Sequence, residues 1–180
     1  SVNMSLGWDN FENTYNYSGH LYDEILAITN RGAMVVVAAG NSYDDYSTYY
    51  AREGVGYPAS DPNVFSVGAT WNKPNSDLGE ITNFSQRSQI TMDAFAPGGQ
   101  IYSSIPNWFN DSDLVISKSP SGDKYTWLNG TSMAAPEVAG FVAVAQEAAE
   151  VYLGRKLTIP ELNEIFLSSA DIIFDNEITD

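Results

Sequence analysis

The sequence predicts an α/β domain with parallel strands, and three of its features carry that reading. Residues 33–39 read Ala-Met-Val-Val-Val-Ala-Ala, an unbroken apolar run whose β-branched centre suits a strand buried on both faces. A segment of helical spacing separates this run from a shorter apolar stretch at residues 2–6, and strand, helix, strand in succession implies a parallel crossover. Beyond Gly130, small and apolar residues recur at spacings of three and four over several turns, the pattern of a long helix.

Taken in order, the first helix rests on Leu21, Ile25 and Ile28, with Ser18 as a start signal and Gly32 as its close. Residues 42–60 are rich in Tyr, Asp, Ser and Gly and read as a loop leading to a further strand at residues 64–69. Residues 71–89 are mostly polar. Residues 93–96 then form a short extended piece that Pro97-Gly98-Gly99 should halt. Turn-forming Asn, Asp, Ser and Pro mark residues 106–124 as a second surface loop. Val138, Phe141, Val142, Ala145, Ala148, Ala149 and Tyr152 then define a long, mostly buried helix. Thr158-Ile159-Pro160-Glu161 fits a capping box with proline in the first turn, and Leu162, Ile165 and Phe166 give the apolar stripe of a last helix.

With 180 residues, 43% of them hydrophobic, and no repeat or linker, one domain with one core is expected. A net charge of −15, from 8 Lys and Arg against 23 Asp and Glu, repels phosphate backbones and anionic lipid, which argues against nucleic-acid and membrane-surface partners. The absence of cysteine excludes disulfides, thiolate metal sites and a cysteine nucleophile. No run approaches the roughly 20 apolar residues of a membrane span. The opening Ser-Val-Asn-Met-Ser-Leu-Gly lacks a signal peptide's basic start and reads as an interior cut.

The sharpest motif is Gly-Thr-Ser-Met-Ala-Ala-Pro-Glu-Val-Ala-Gly at residues 130–140. A serine opening a long helix lies beside unpaired N–H groups and the positive end of the helix dipole, which favours an oxyanion there. On the residues alone, Thr131 or Ser132 is also an ordinary helix N-cap. Likewise, Asn41 after a buried strand reads as a turn residue.

The stretch at residues 130–140 resembles the nucleophile motif of the subtilases, the subtilisin-like serine proteases. Other blocks follow in that family's order: residues 1–7, Ala-Ala-Gly-Asn at 38–41, Tyr-Pro-Ala at 57–59, Val-Phe-Ser-Val-Gly-Ala at 64–69, Asn-Phe-Ser at 83–85, Phe-Ala-Pro-Gly at 95–98 and Leu-Ser-Ser-Ala at 167–170. The resemblance implies a three-layer α/β/α fold with a mostly parallel sheet, its N-terminal part missing from this chain. It implies Ser132 as nucleophile, with Asn41 and the Ser132 backbone N–H as oxyanion donors. Ser5, Leu6 and Gly7 would form one wall of the substrate cleft, and Ala38, Ala39 and Gly40 the other. The reaction would be endopeptidase hydrolysis of a polypeptide, needing no cofactor.

A subtilase also needs an Asp and a His, which in that family precede the serine. Residues 1–7 resemble a strand that both normally precede, and His20 falls where the family has no catalytic histidine. An N-terminal protease segment is therefore the expected partner supplying them, and this chain alone should be inactive. It should also expose apolar sheet edge and core surface, leaving it unstable, dimeric or dependent on that segment. A non-catalytic peptide-binding or scaffold relic is the alternative. An α/β-hydrolase is excluded, since Ala134 stands where Gly-x-Ser-x-Gly needs glycine and no histidine follows Ser132.

Three departures bear on detail. Glu137 replaces the motif's usual histidine, at a place where the helix dipole should suit it, and Trp8 should narrow one end of the cleft. Asp44, Asp45 and Glu53 favour a basic substrate residue if they rim the cleft, or are a solvated loop if they do not. A structural calcium ion is implied only through Asp93 with the Ala59 carbonyl, or through Asp44-Asp45. Family habit points to a secreted, periplasmic or cell-surface location.

Overall fold

The computed structural model describes residues 1–8, 13–44, 53–72, 79–109, 114, 116–173 and 175. Its first half supplies β1 (Val2–Met4), α1 (Tyr22–Thr29), β2 (Val35–Ala38), β3 (Phe65–Trp71) and β4 (Ala94–Gly99). The four strands lie in the order β1-β2-β3-β4, and every neighbouring pair is parallel. The second half adds β5 (Ile101–Ile105), β6 (Ser117–Lys118), β7 (Lys124–Leu128), α2 (Thr131–Leu153) and α3 (Ile159–Ser169).

Side-chain alternation along β2 explains the three layers. Val36 and Ala38 point to one face, into a cluster with Val67, Ala135, Val138, Val142 and Leu162, where α2 and α3 pack. Val35, Val37 and the following Ala39 point to the other, against Ile25 of α1, Val55 and Ala59. A strand buried on both faces must be apolar at every position, as residues 33–39 are.

Four local expectations are corrected. The first helix starts at Tyr22 rather than near Ser18, because the Tyr57 hydroxyl accepts the Leu21 N–H at 2.6 Å while Ser18 is held by Asn16. Pro97-Gly98-Gly99 does not halt the strand but belongs to β4. As an edge strand it tolerates a residue without an N–H, and a bulge against Thr70 and Trp71 absorbs the irregularity. Residues 106–124 are not only loop: β6 lies within them and joins β5 and β7 in an antiparallel sheet ordered β5-β7-β6. Its cross-strand pairs, Tyr102 opposite Trp127 among them, depend on partners far apart in sequence. Finally, α2 is buried along one face only; Phe141, Val144 and Val151 of its outer face are exposed, as is Val2 on the edge strand β1. Parts of the expected loops, residues 45–52, 73–78 and 110–113, lie outside the described residues.

The predicted capping box is present. The Thr158 hydroxyl accepts the Glu161 N–H, Glu161 accepts the Thr158 N–H at 2.8 Å, and Arg155 clamps both Glu161 oxygens. The Arg155 hydrogen bonds first, then the Thr158 N–H and hydroxyl, pull the Glu161 carboxyl down from 4.5 to about 2. A depressed carboxylate contributes stability above its unfolded pKa and loses it as pH falls through the folded value. Glu161→Gln is therefore expected to lower the melting temperature at pH ~7, with the two proteins converging near pH ~2. A difference independent of pH in calorimetry would contradict this.

Candidate active site

Pro136 in the second turn of α2 has no N–H, so the Ser132 carbonyl four residues earlier loses its helical partner. The Ser5 hydroxyl takes it instead, at 2.8 Å. This bond ties the segment after β1 to the start of α2, across 127 residues of sequence.

Neither Thr131 nor Ser132 is the helix cap. Gly130 holds that position without a side-chain bond, and the side chain that serves the helix end comes from elsewhere: Asn41 Oδ1 accepts the Thr131 N–H at 2.8 Å and the Thr131 hydroxyl at 3.0 Å. Thr131 Oγ1 in turn accepts the Gly40 N–H at 3.1 Å. These bonds fix the Asn41 amide so that Nδ2 is its free donor. Among the described residues neither Asn41 Nδ2 nor the Ser132 N–H has an acceptor. A Cβ built on Gly130 would lie 3.5 Å from Asn41 Nδ2 and 3.6 Å from the Ser132 nitrogen, so both donors border the same small space.

That space opens into a cleft of about 260 Å³ lined by Leu6, Gly7, Ala38, Ala39, Gly40, Asn41 and Ser132. Every residue named from the sequence for the two walls thus lies on this cleft, except Ser5, which touches Ser132 directly. Thr131, Gly56 and Gln86 also line it, and sequence reasoning missed them. Gly56 had a signal, because it directly precedes the Tyr-Pro-Ala block. Its N–H donates to the Ala39 carbonyl at 2.7 Å, and a Cβ there would come within 2.7 Å of the Trp8 carbonyl. Trp8 stands at the cleft edge as expected, stacked on Tyr57 and held by paired backbone bonds to it.

Among the described residues no base is hydrogen-bonded to the Ser132 hydroxyl. Its protein contact is the Ser5 carbonyl at 3.5 Å, too long to hold it, and His20 is an exposed residue ahead of α1 that does not line the cleft. On the other side of Ser132, Met133, Pro136, Glu137, Tyr102 and Leu128 border a second groove. Glu137 lies in the second helical turn, past the reach of the dipole expected to suit it, and desolvation pushes its carboxyl up.

Asp44 and Glu53 are not among the residues that line the cleft. Asp44 accepts from the Asn83 amide, Glu53 from Asn13 at 2.8 Å, and Asp45 is outside the described residues. Asp93 is committed to the Ser66 N–H at 2.7 Å and hydroxyl at 2.9 Å, while burial pushes its carboxyl up. Among the described residues no three His, Cys, Asp or Glu gather as metal ligands. Asp93 with the Ala59 carbonyl falls short of the roughly six to eight oxygens of a calcium site.

The sequence profile of the subtilase family matches residues 2–178. The chain belongs to the subtilase family. It is 35% identical over 166 residues to the extracellular basic protease of Dichelobacter nodosus, covering 92% of this chain and 23% of that protein. It is 34% identical over 143 residues to the major intracellular serine protease of Bacillus subtilis, covering 79% of this chain and 37% of that protein. Among solved structures, a protease from Pseudoalteromonas arctica superposes with a TM-score of 0.65 at 28% identity, covering 95% of this chain and 44% of that one. The chain thus spans less than half the length of these subtilases, whose names place them both outside and inside the cell. No helix among the described residues is long and apolar enough to cross a membrane.

Proposed function

We propose that this chain is the part of a subtilase endopeptidase that carries the nucleophile, the oxyanion donors and the substrate cleft. Ser132 attacks the scissile carbonyl of a polypeptide, and Asn41 Nδ2 with the Ser132 N–H receives the negative charge that develops on its oxygen. The observation that carries this reading is the convergence on one space of two donors, Asn41 Nδ2 and the Ser132 N–H, that have no acceptor among the described residues. Donors positioned before the reaction need no reorganisation as charge appears, and the N-terminus of a 23-residue helix adds its positive dipole end.

The reading assigns the missing base to an N-terminal segment that brings an Asp and a His to Ser132. Without them the hydroxyl keeps its proton and remains a poor nucleophile, although oxyanion hole and cleft together support a residual rate. A fluorophosphonate probe should label Ser132 rapidly in the protein that includes this segment, and slowly or not at all in the 180-residue chain. Equally fast labelling of both would sink the assignment of the base. Failure of both to react would favour the non-catalytic peptide-binding reading.

A further inference from the structure

Two polar side chains of the first strand form a one-way relay onto the residue that carries the nucleophile. The Ser132 carbonyl, which Pro136 deprives of its helical N–H, can only accept a hydrogen bond, so the Ser5 hydroxyl gives its single proton to it at 2.8 Å. The Ser5 oxygen is then left to accept, and the Asn3 amide supplies the donor: Nδ2 gives a hydrogen bond to Ser5 Oγ at 3.1 Å. Direction therefore runs from Asn3 to Ser5 to the Ser132 carbonyl. An acceptor in place of Asn3 Nδ2 would break it, because the one Ser5 proton would be drawn to a second oxygen. Asn3 is itself fixed by the sheet, in β1 and in register with Val36 of β2.

The tie bears on chemistry because the carbonyl it holds belongs to the same residue as Oγ and the oxyanion N–H. Asn41, following β2, holds the Thr131 N–H at 2.8 Å, and Ser5, following β1, holds the Ser132 carbonyl. The first turn of α2 is thus tied to both cleft walls. The Ser5 side chain has no other part here: Leu6 and Gly7 line the cleft, whereas Ser5 is not among its lining residues. A turn freed on the Ser5 side would shift nucleophile and donor together, and a misplacement of about 1 Å costs on the order of a hundredfold in rate.

We propose that Ser5 and Asn3 are positioning residues of this site: Asn3 orients the Ser5 hydroxyl, and that hydroxyl holds Ser132 in place for attack. This rests on the reading of Ser132 as a protease's nucleophile.

The test is turnover of a peptide amide by the protein with its N-terminal segment, with kcat and KM measured separately. Ser5→Ala should lower kcat about tenfold, the size of one hydrogen bond, with KM nearly unchanged. Ser5→Thr keeps the hydroxyl and should restore most of the rate. Asn3→Asp exchanges donor for acceptor at an exposed position, and should lose as much kcat as Ser5→Ala. Combined with Ser5→Ala it should cost nothing further, since both act through one hydroxyl. Parental kcat in Ser5→Ala or in Asn3→Asp overturns the proposal, as does a loss confined to KM or losses that simply add. If Ser5→Ala does not fold, Asn3→Asp alone decides, and parental kcat there is again fatal. Ser132→Ala separates the two readings. Turnover that survives it removes the protease reading, and this role with it. Turnover that needs Ser132 but is indifferent to Ser5 and Asn3 removes the positioning role alone.

Discussion

Ser132→Ala, introduced into the protein that includes the N-terminal segment, is expected to lower kcat on a peptide substrate by about a millionfold. That magnitude is the one known for removal of the nucleophile in subtilisin, a member of the same family. The reason is chemical: alanine has no oxygen to form the acyl intermediate, so hydrolysis falls back on water attacking a carbonyl polarised by the two remaining donors. Little else should change. Ser132 contributes its carbonyl, not its hydroxyl, to the bond with Ser5, and the variant keeps that carbonyl. Melting temperature and peptide binding should therefore stay close to those of the parent. Retention of more than a small fraction of kcat would remove Ser132 from the role of nucleophile.

Asn41→Asp should lower kcat by a factor of about 100 to 1,000 or more, with the fold intact. The substitution separates two functions that one side chain combines. Oδ1 accepts from the Thr131 N–H and hydroxyl and so serves the end of α2, and a carboxylate oxygen can do the same. Nδ2 is the donor to the oxyanion, and aspartate replaces it with an oxygen that repels the developing charge. Asn41→Ala removes both functions, so it should add a stability loss of about 1 kcal/mol to the loss of rate. Measurement of kcat and melting temperature on both variants checks this. An aspartate variant with parental kcat would show that Asn41 only serves the helix end.

These two expectations differ in how far sequence alone supports them. Ser132 sits inside an eleven-residue motif whose resemblance to the family's nucleophile motif is legible without coordinates, although the residues alone also allow a helix N-cap. Asn41 is legible as an oxyanion donor only through the family resemblance. The motif also contains Pro136, yet nothing in the sequence says that the carbonyl it leaves unpaired is taken by Ser5. The same holds for Gln86, whose neighbours Ser85 and Arg87 are equally buried. Only the packing shows that Gln86 lines the cleft and that one of its amide atoms has no partner among the described residues.

The sequence by itself determined the parallel layers and the capping box of α3, while the nucleophile motif and the two cleft walls were named from stretches that resemble those of the subtilase family. Each is written in local periodicity or in a contiguous stretch, because apolar spacing and short motifs act within a few turns or strands of chain. Only the tertiary structure decided where α1 begins, that β5, β6 and β7 form a sheet, and that one face of α2 stays exposed. It alone brought Asn41 to the end of a helix 90 residues away. The physical reason is the same in each case: these features depend on groups that meet across the fold, such as Tyr57 with Leu21 or Asn41 with Thr131, and a hydrogen bond between distant residues leaves no periodic trace in either segment.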